Sequence, residues 1–335
     1  RPRDAAHLYG GPYPFIQTGD VTAAGGRITS YRQTYSEAGL AQSKLWPANT
    51  LCITIAANIA ETALLTFPAC FPDSVVGFTA DKSKADIRFI EYVFRAFRDS
   101  VKRRAYGSVQ ENINLEVLRD LEFPIPSLEI QKKIADFITI FDDRIALLRE
   151  TNATLEAIAQ ALFKSWFVDF DPVHAKARGE SPQGIDDATA AQFPDSFEES
   201  ELGMIPKGWC VQSFTQTINV IGGGTPKTSI AEYWNGDIPW FSVVDAPTIT
   251  DVFVIETEKH ITVAGLNNSS TKLLPVGTTI ISARGTVGRL ALVGTEMAMN
   301  QSCYGLRGKA GDAYFTYFST YRLVETLKQR THGSV

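Results

Sequence analysis

The sequence predicts an α+β protein in which two similar mixed α/β domains are separated by one long coiled-coil-forming spacer helix. Two observations support this fold class. The segment 45–78 recurs as 273–306 without a gap, and a heptad pattern of apolar residues lies between the two copies. With 335 residues, 44% of them hydrophobic, the chain is long enough to bury two cores, because single cores seldom grow beyond about 250 residues.

The repeat has an offset of 228 residues, as from Leu45 to Leu273. Eight positions are identical, and the apolar pattern between them agrees. The identical pairs are Leu45/Leu273, Pro47/Pro275, Thr50/Thr278, Ile53/Ile281, Ala63/Ala291, Leu64/Leu292, Ser74/Ser302 and Gly77/Gly305. The similarity continues on both sides with small shifts, since 38–40 corresponds to 264–266 and 102–109 to 328–335. We therefore expect a duplicated domain.

Each copy is predicted to contain strands broken by Gly, Pro and Asn turns, followed by a helix. The predicted strands include Thr50–Ile55 and Thr278–Ser282, and the predicted helices lie near Ile87–Arg98 and Tyr314–Leu327. The first copy has a short lead-in and the second copy stops after 328–335. We expect both copies to be incomplete, the first at its start and the second at its end.

A long helix is predicted between the copies. Ser127 is a suitable N-cap, and neither Gly nor Pro follows Leu128 until Asp171-Pro172, so one helix can run from Leu128 to Phe170. Its apolar positions alternate spacings of four and three, which is typical of a coiled-coil seam. The seam consists of Ile134, Ile138, Phe141, Ile145, Leu148, Asn152, Leu155, Ala159, Leu162 and Trp166. An amphipathic helix packed on its own domain is the alternative.

The seam requires a partner helix, and no other predicted helix has a comparable length. We expect that partner in a segment beyond Val335. Asn152 fits the polar seam residue that sets the register of many coiled coils.

These elements divide the chain into four parts. Residues 172–208 combine Pro, Gly and Ser with an acidic excess, and we interpret them as an ordered but mostly irregular linker. The predicted parts are 1–125 for the first domain, 126–171 for the spacer helix, 172–208 for the linker and 209–335 for the second domain.

Composition excludes several classes of protein. The formal net charge is -5 and the pI is near 5.5, so any nucleic-acid site must be a local basic patch. The four cysteines have no C-x-x-C spacing, which favours reduced thiols, a cytoplasmic protein and no metal site. The most apolar stretch, 51–71, is interrupted by Asn58, Glu61 and Pro68, so neither a membrane span nor a secretion signal is predicted.

Two basic clusters occupy matching places in the two copies. They are Arg95, Arg98, Lys102, Arg103 and Arg104 in the first copy, and Lys328 and Arg330 in the second. Such clusters bind phosphates in nucleic-acid-binding proteins, and a solvated helix face is the alternative. The recurrence of positive charge in both copies favours phosphate binding.

A glycine loop in the second copy carries further candidates. The segment 282–289 contains Arg284, Thr286 and Arg289, and a loop of this kind can approach a phosphate or a guanine edge. Its counterpart in the first copy, 55–61, has neither arginine. Either the two copies contact different bases, or the loop is only a turn whose glycines permit positive φ. Arg284 is the leading candidate.

No constellation of catalytic residues is predicted. The segment 222–227 is rich in glycine, yet Pro226 stands where a phosphate-binding loop requires its second glycine. Asp169-Phe170-Asp171 is interpreted as a helix end and not as a pair of catalytic carboxylates. The sequence lacks both an Asp/Asn-Pro-Pro-aromatic motif and a dinucleotide-binding fingerprint.

Four segments, in this order, resemble the specificity subunits of Type I restriction-modification systems, and the resemblance covers essentially the whole chain. They are Gly107-Ser108-Val109-Gln110 through Leu121-Glu122-Phe123-Pro124-Ile125-Pro126, then Gln131-Lys132-Lys133-Ile134, then Ser200 through Trp209, and Gly223-Gly224-Thr225-Pro226.

The resemblance implies two target recognition domains, each of which reads one half of a split target in double-stranded DNA. The predicted helix, roughly 65 Å long at about 1.5 Å per residue, suits half-sites separated by two turns of DNA. The resemblance also implies docking of two methyltransferase subunits, with a restriction subunit joining through the complex. S-adenosylmethionine, ATP and magnesium would belong to those partners, and this chain would bind no cofactor and catalyse nothing.

The alternative is a coiled-coil assembly scaffold whose repeated domains bind protein or carbohydrate. The acidic pI agrees better with that alternative.

Overall fold

The fold is given by a computed structural model, which describes residues 5–56, 58–106, 118–247 and 251–332. The side chains of 104–106 and 329–332 lie outside the described part. The chain forms two units, residues 1–144 and residues 145–335.

A four-stranded sheet forms the centre of the first unit. Its strands are β2 (Arg27–Ile28), β4 (Leu51–Thr54), β5 (Thr62–Leu65) and β6 (Val75–Phe78). Their order is β2-β5-β4-β6, with β2 and β5 parallel and the other neighbours antiparallel. A separate ribbon pairs β1 (Tyr9–Phe15) with β3 (Gln33–Tyr35). The helices are α1 (Thr18–Ala23), α2 (Glu37–Leu40) and α3 (Ile87–Tyr106).

The strand β4 is buried on both faces because its side chains alternate between two clusters. Cys52 packs with Ile16 and other residues on one side of the sheet. Leu51 and Ile53 pack on the other side, where α3 and Ala135 of the following helix cover them. The sheet therefore lies between a layer that includes α1 and a layer formed by α3 and the start of the following helix.

The helix α4 runs from Leu128 to Phe167, and it begins at the residue that the sequence predicted. It ends three residues before the predicted Phe170. Phe170 itself adopts a left-handed conformation with φ 56°, and Asp171-Pro172 starts the next helix, α5 (Asp171–Ala177). A proline at the first turn of a helix is favourable, so the chain starts a new helix here instead of extending α4.

The segment after α5 contains more regular structure than the linker prediction for 172–208 expected. Asp186 caps the short helix α6 (Asp187–Ala190), since its Oδ1 accepts from Thr189 N at 2.9 Å. The strands β7 (Phe197–Ser200) and β8 (Gly203–Pro206) then form a hairpin. The turn residues Pro, Gly and Ser that suggested a loop also delimit such short elements.

A five-stranded sheet forms the centre of the second unit. In the order β11-β14-β13-β16-β9, its strands are β11 (Phe253–Val254), β14 (Leu290–Val293), β13 (Thr279–Ser282), β16 (Cys303–Gly308) and β9 (Ile218–Gly222). A smaller sheet has the order β12-β10-β15, with β12 (His260–Ile261), β10 (Trp234–Phe241) and β15 (Ala298–Met299). The helices are α7 (Phe214–Thr217), α8 (Val263–Asn267) and α9 (Ala313–His332).

Both central sheets use the same register. Leu51 pairs with Leu64 in the first unit, and Thr279 pairs with Leu292 in the second unit. Both residues of the second pair are offset by 228 from those of the first. A slip of one residue would turn every side chain to the other face, so a shared register means that the two sheets are built alike. The predicted fold class, two similar mixed α/β domains with a long helix between them in the chain, is confirmed.

The helices that follow the sheets begin close to where the sequence predicted them. They end later, since α3 continues to Tyr106 and α9 to His332. Among the described residues, no helix combines the length and the apolar character that crossing a membrane requires. All four cysteines are free thiols, and Cys52, Cys70 and Cys303 are buried.

The duplicated fold can be tested at one buried hydroxyl in each unit. Thr50 Oγ1 donates to Pro47 O and Thr278 Oγ1 donates to Pro275 O, both at 2.7 Å, and both threonines are fully buried. We expect Thr50→Val and Thr278→Val each to lower the free energy of unfolding of their own unit by about 1 kcal/mol, because the acceptor loses its partner. Urea unfolding followed by circular dichroism measures this loss.

Thr154→Val is the matched control. Its hydroxyl also donates to a carbonyl, Glu150 O at 2.9 Å, but the side chain is exposed and water can replace the bond. An unfolding curve that shifts for only one of the two buried variants would contradict the equivalence of the units.

Candidate nucleic-acid interface

The loop between β13 and β14 carries three of the predicted DNA contacts, Arg284, Thr286 and Arg289. Ser282 holds this loop, because its Oγ donates to Thr286 O at 2.5 Å and accepts from Arg289 N at 2.8 Å. The turn closes at Gly288, which has a φ of 79°. A glycine adopts this conformation without the strain that a Cβ introduces.

The three side chains of this loop face different surroundings. Arg284 and Thr286 are exposed. Arg289 is also exposed, but its Nη2 donates to Ala246 O at 3.3 Å and to Pro247 O at 3.4 Å. Arg284 therefore extends from the turn toward solvent, whereas Arg289 also supports the neighbouring backbone.

The loop contacts helix α9 beside another predicted residue. A Cβ placed on Gly288 would lie 2.9 Å from Val324 Cγ1 and 3.5 Å from Lys328 Cε. Lys328 Nζ lies 3.6 Å from Glu325 Oε1, so its charge is partly compensated on the helix. The structure thus brings the arginine loop and Lys328 together on one surface of the second unit.

The first unit contains the same loop with different side chains. Thr54 takes the place of Ser282, since its Oγ1 accepts from Glu61 N at 3.0 Å and donates to Asn58 O. Ala60, with a φ of 61°, takes the place of Gly288. Glu61 therefore occupies the position of Arg289, and the side chain at this position has the opposite charge in the two units.

Glu61 binds two of the predicted phosphate contacts. Its Oε1 lies 3.0 Å from Lys102 Nζ, and its Oε2 lies 3.2 Å from Arg98 Nη1. Among the described residues, Arg98 Nε is buried without a hydrogen-bond partner, and it lies 4.0 Å from Asp99 Oδ1. The run of positive charge in the sequence indicates the two cations, but it gives no sign of their carboxylate partner, although Glu61 stands at the repeat position of Arg289.

Arg95 is bound to carboxylates as well. It contacts the almost fully buried Glu91 through Nε at 3.1 Å and Nη2 at 2.9 Å, and its Nη1 lies 3.4 Å from Asp142 Oδ1. Burial raises the pKa of Glu91, while Arg95 and a hydroxyl from Thr62 lower it and only partly offset the burial. Arg95 therefore serves first to compensate a buried acid, as buried charges require a partner.

Arg103 is exposed and its Nη2 donates to Ser100 Oγ at 3.1 Å. The side chains of Arg104 and Arg330 lie outside the described residues. The assignment of the basic clusters to DNA stays a prediction, and Arg103 and Lys328 are the exposed members among the described side chains.

Polar side chains attach the first part of α4 to its own unit. The side chain of Gln131 is buried. Its Oε1 accepts a hydrogen bond from Asp86 N at 3.0 Å, and its Nε2 donates to Lys84 O at 3.2 Å and to Pro126 O at 2.8 Å. Gln131 belongs to the Gln-Lys-Lys-Ile segment of the resemblance. Its side-chain amide links the starts of α3 and α4, so this segment stabilises the junction between the two helices.

Two further groups extend this attachment along α4. Arg88 Nη1 lies 2.8 Å from Asp136 Oδ1, and Tyr92 Oη donates to Asp142 Oδ2 at 2.9 Å. The attachment to the first unit is therefore mainly polar and charged.

Most residues of the predicted seam of α4 are exposed. Its exposed members are Ile134, Phe141, Ile145, Leu148, Asn152, Leu155 and Leu162, and Ile138, Ala159 and Trp166 are half-buried. Further exposed apolar residues lie near the seam, at Ile130, Phe137, Ile140, Leu147 and Ile158. Pairing through this seam stays a prediction, and we call the exposed members together the apolar stripe of α4.

The glycine-rich segment 222–227 is explained by close packing. A Cβ on Gly223 would overlap Asn300 O, and a Cβ on Gly224 would overlap Ser270 Oγ. Gly224 O also accepts from Trp240 Nε1 at 3.0 Å. The glycines therefore permit close approach of two chain segments. In the described part of the chain, no group of three or more His, Cys, Asp and Glu side chains is arranged to hold a metal ion.

The comparison with protein families agrees with this architecture. The sequence model described as the Type I restriction modification DNA specificity domain matches residues 1–157 and 206–334, which is most of the chain and one match for each copy. The chain therefore belongs to the family of Type I restriction-modification DNA specificity proteins.

Relatives with curated names are specificity subunits. The specificity subunit of the Type I restriction enzyme HindI from Haemophilus influenzae is 32% identical over 227 residues, 56% of this chain and 49% of that protein. The MjaIX specificity subunit from Methanocaldococcus jannaschii is 33% identical over 146 residues, 43% of this chain and 34% of that protein. This chain thus spans about half or less of the length of these two relatives.

Solved structures of such subunits are also similar. The S subunit from M. genitalium has 17% sequence identity and a TM-score of 0.48, with 98% of this chain and 75% of that chain covered. The HsdS subunit from Thermoanaerobacter tengcongensis has 15% identity and a TM-score of 0.35, with coverage of 93% and 74%.

The polar attachment of α4 can be tested with two adjacent aspartates. Asp142 is 22% exposed and contacts both Tyr92 and Arg95, whereas Asp143 is 59% exposed and contacts Arg27 at 2.5 Å. We expect Asp142→Asn to lower the free energy of unfolding of the first unit by about 1 kcal/mol, because charge-assisted bonds in partly buried surroundings are lost.

Asp143→Asn is the matched control, and its expected effect is below about 0.5 kcal/mol, since exposed ion pairs contribute little. Urea unfolding of both variants provides the measurement. Equal losses would mean that burial does not distinguish these two contacts.

Proposed function

We propose that this chain is the sequence-reading subunit of a Type I restriction-modification complex. In this proposal it binds a bipartite target in double-stranded DNA with its two units, and it directs methyltransferase and restriction subunits to that target. The observation that carries the proposal is the same fold present twice in one chain, each copy matched by a DNA specificity domain. Two recognition domains in one chain suit a DNA target that has two separate halves.

The loops on the two sheets support different base preferences for the two units. The segment 282–289 presents Arg284 beside Lys328, whereas the corresponding loop of the first unit presents Glu61 to Arg98 and Lys102. Arginine side chains on a glycine-containing turn suit the guanine edge and the phosphates next to it. Two unlike loops on like scaffolds would recognise two unlike half-sites.

The apolar stripe of α4 is an argument for a partner helix that packs against it. An exposed apolar band along a helix is a docking surface more often than a solvated face. We assign it to contacts within the complex, which would hold two methyltransferase subunits and, through them, the restriction subunit. Catalysis and the cofactors S-adenosylmethionine, ATP and magnesium would reside in those partners, and the cytoplasmic location stays a prediction from the sequence.

The second candidate function is a coiled-coil assembly scaffold that binds protein or carbohydrate. The formal net charge of -5 favours it. Duplex binding at low salt distinguishes the two candidates, because only a DNA reader releases counterions from a duplex.

We expect the affinity of the chain for duplex DNA to fall steeply between about 50 and 200 mM salt. Arg284→Gln should weaken binding several-fold and reduce the slope of log K against log salt by about 0.9, the contribution of one phosphate contact. Fluorescence anisotropy with a labelled duplex provides both values.

Arg149→Gln is the control, because it removes the same charge from an exposed position on α4 that is not part of the loop. Reduced affinity for one sequence with an unchanged slope would identify a base contact instead of a phosphate contact. Absence of duplex binding by the wild-type chain at low salt would favour the scaffold.

The spacer role of α4 gives a prediction about target geometry. All side chains from 145 to 151 are exposed, so deletion of this heptad removes none of the buried contacts of either unit. We expect the gap between half-sites to shorten by about three base pairs, because seven helical residues span about 10.5 Å and one base pair about 3.4 Å. Mapping of methylated sites in cells that supply the partner subunits measures the gap. An unchanged gap would contradict the spacer role.

A further inference from the structure

The charge inversion between Glu61 and Arg289 lies at matching positions of two loops that share several backbone features. Both residues follow a position with positive φ, and both donate their backbone N–H to the hydroxyl at the end of the preceding strand. The difference is therefore confined to what the side chain meets on the adjacent helix.

In the first unit, the side chain of Glu61 forms ion pairs with two cations. Glu61 is 19% exposed, and its two oxygens are shared between Lys102 Nζ at 3.0 Å and Arg98 Nη1 at 3.2 Å. This carboxylate presents one oxygen to a guanidinium and the other to an ammonium. It thereby offers two acceptors, as the two non-bridging oxygens of a DNA phosphate do.

In the second unit, the corresponding surface has no such carboxylate at the loop position. The loop bears Arg284 and Arg289, and it meets α9 next to Lys328. Like charges placed side by side raise the local positive potential, and an anion that binds there lowers the repulsion. Lys328 is partly compensated by Glu325 at 3.6 Å, so the exposed Arg284 is the member of this surface that can receive a phosphate from outside.

We propose that Glu61 is an internal substitute for a DNA phosphate, which keeps Arg98 and Lys102 occupied and lowers the affinity of the first unit for DNA of any sequence. This inference rests on the proposed function. A phosphate can reach the two cations only by displacing Glu61, so the first unit contributes little non-specific binding. Sequence discrimination improves when non-specific binding falls, because the ratio of the two affinities determines the choice of site.

Glu61→Gln tests the proposal, because glutamine retains the size of the side chain and removes the charge. For a duplex of random sequence at about 0.1 M salt, we expect the affinity of the full 335-residue chain to rise on the order of tenfold. The slope of log K against log salt should steepen by up to about 1.8, or about 0.9 for each released cation.

Glu129→Gln is the matched control. Glu129 is 78% exposed and contacts Lys133 at 2.7 Å, so its substitution changes the net charge equally but frees no cation near the loop. We expect a change below about twofold for this variant. The double variant Glu61→Gln with Lys102→Gln should lose a large part of the gain that Glu61→Gln produces.

A second measurement does not depend on the folding of the Glu61 variant. Lys102→Gln in the otherwise wild-type chain should leave duplex affinity within about twofold, because this cation is already neutralised, whereas Arg284→Gln should weaken it more. Equal losses for these two variants would overturn the proposal.

The remaining outcomes are also decisive. If wild type binds DNA and Glu61→Gln binds no better than Glu129→Gln, Glu61 is not a phosphate substitute, while the DNA-reading function stands. If Glu61→Gln weakens binding, Glu61 positions the two cations for contact and the proposal is wrong. If neither wild type nor any variant binds a duplex, the proposed function fails and this inference fails with it.

Discussion

The hydroxyl at the end of the central strand is the contact on which both candidate sites depend. Thr54 and Ser282 each bond to two backbone groups of the loop that follows, and so they fix which residue faces the adjacent helix. Since the surrounding sheet is in the same register in both units, the two loops start and end at matching positions and differ in their side chains. A scaffold of this kind permits recognition to change while the fold remains.

The helix α4 has to satisfy two unlike requirements on its opposite sides. Gln131, Asp136 and Asp142 face the first unit, and their partners are backbone groups, an arginine and a tyrosine. Its apolar stripe is exposed. Attachment through polar groups leaves the apolar residues available, and burial of apolar area is the stronger source of association energy. The exposed stripe is therefore available for association, whereas Trp166 of the seam packs against Phe193 with ring centroids 5.8 Å apart.

The sequence predicted those features that have a period or a repeat. Runs of strand-forming residues bounded by turn residues located β4 and β13 to within one residue at each end, and the cap at Ser127 located the start of α4. The end of α4 was placed too late, because nothing in the composition signals the left-handed conformation of Phe170. Contacts between distant charges were also missed. Glu61 and Lys102 are separated by 41 residues, and no local pattern couples them.

The distribution of charge resolves the apparent conflict between an acidic chain and a DNA ligand. A net charge counts every carboxylate equally, whereas binding depends on the cations that have no carboxylate partner. In the first unit, Glu91 and Asp142 neutralise Arg95, and Glu61 neutralises Arg98 and Lys102. In the second unit, Arg284 is exposed on a turn. If the chain binds DNA as proposed, ion pairs that occupy its basic residues would lower its general affinity for phosphates, and its choice of site would depend more on contacts with the bases.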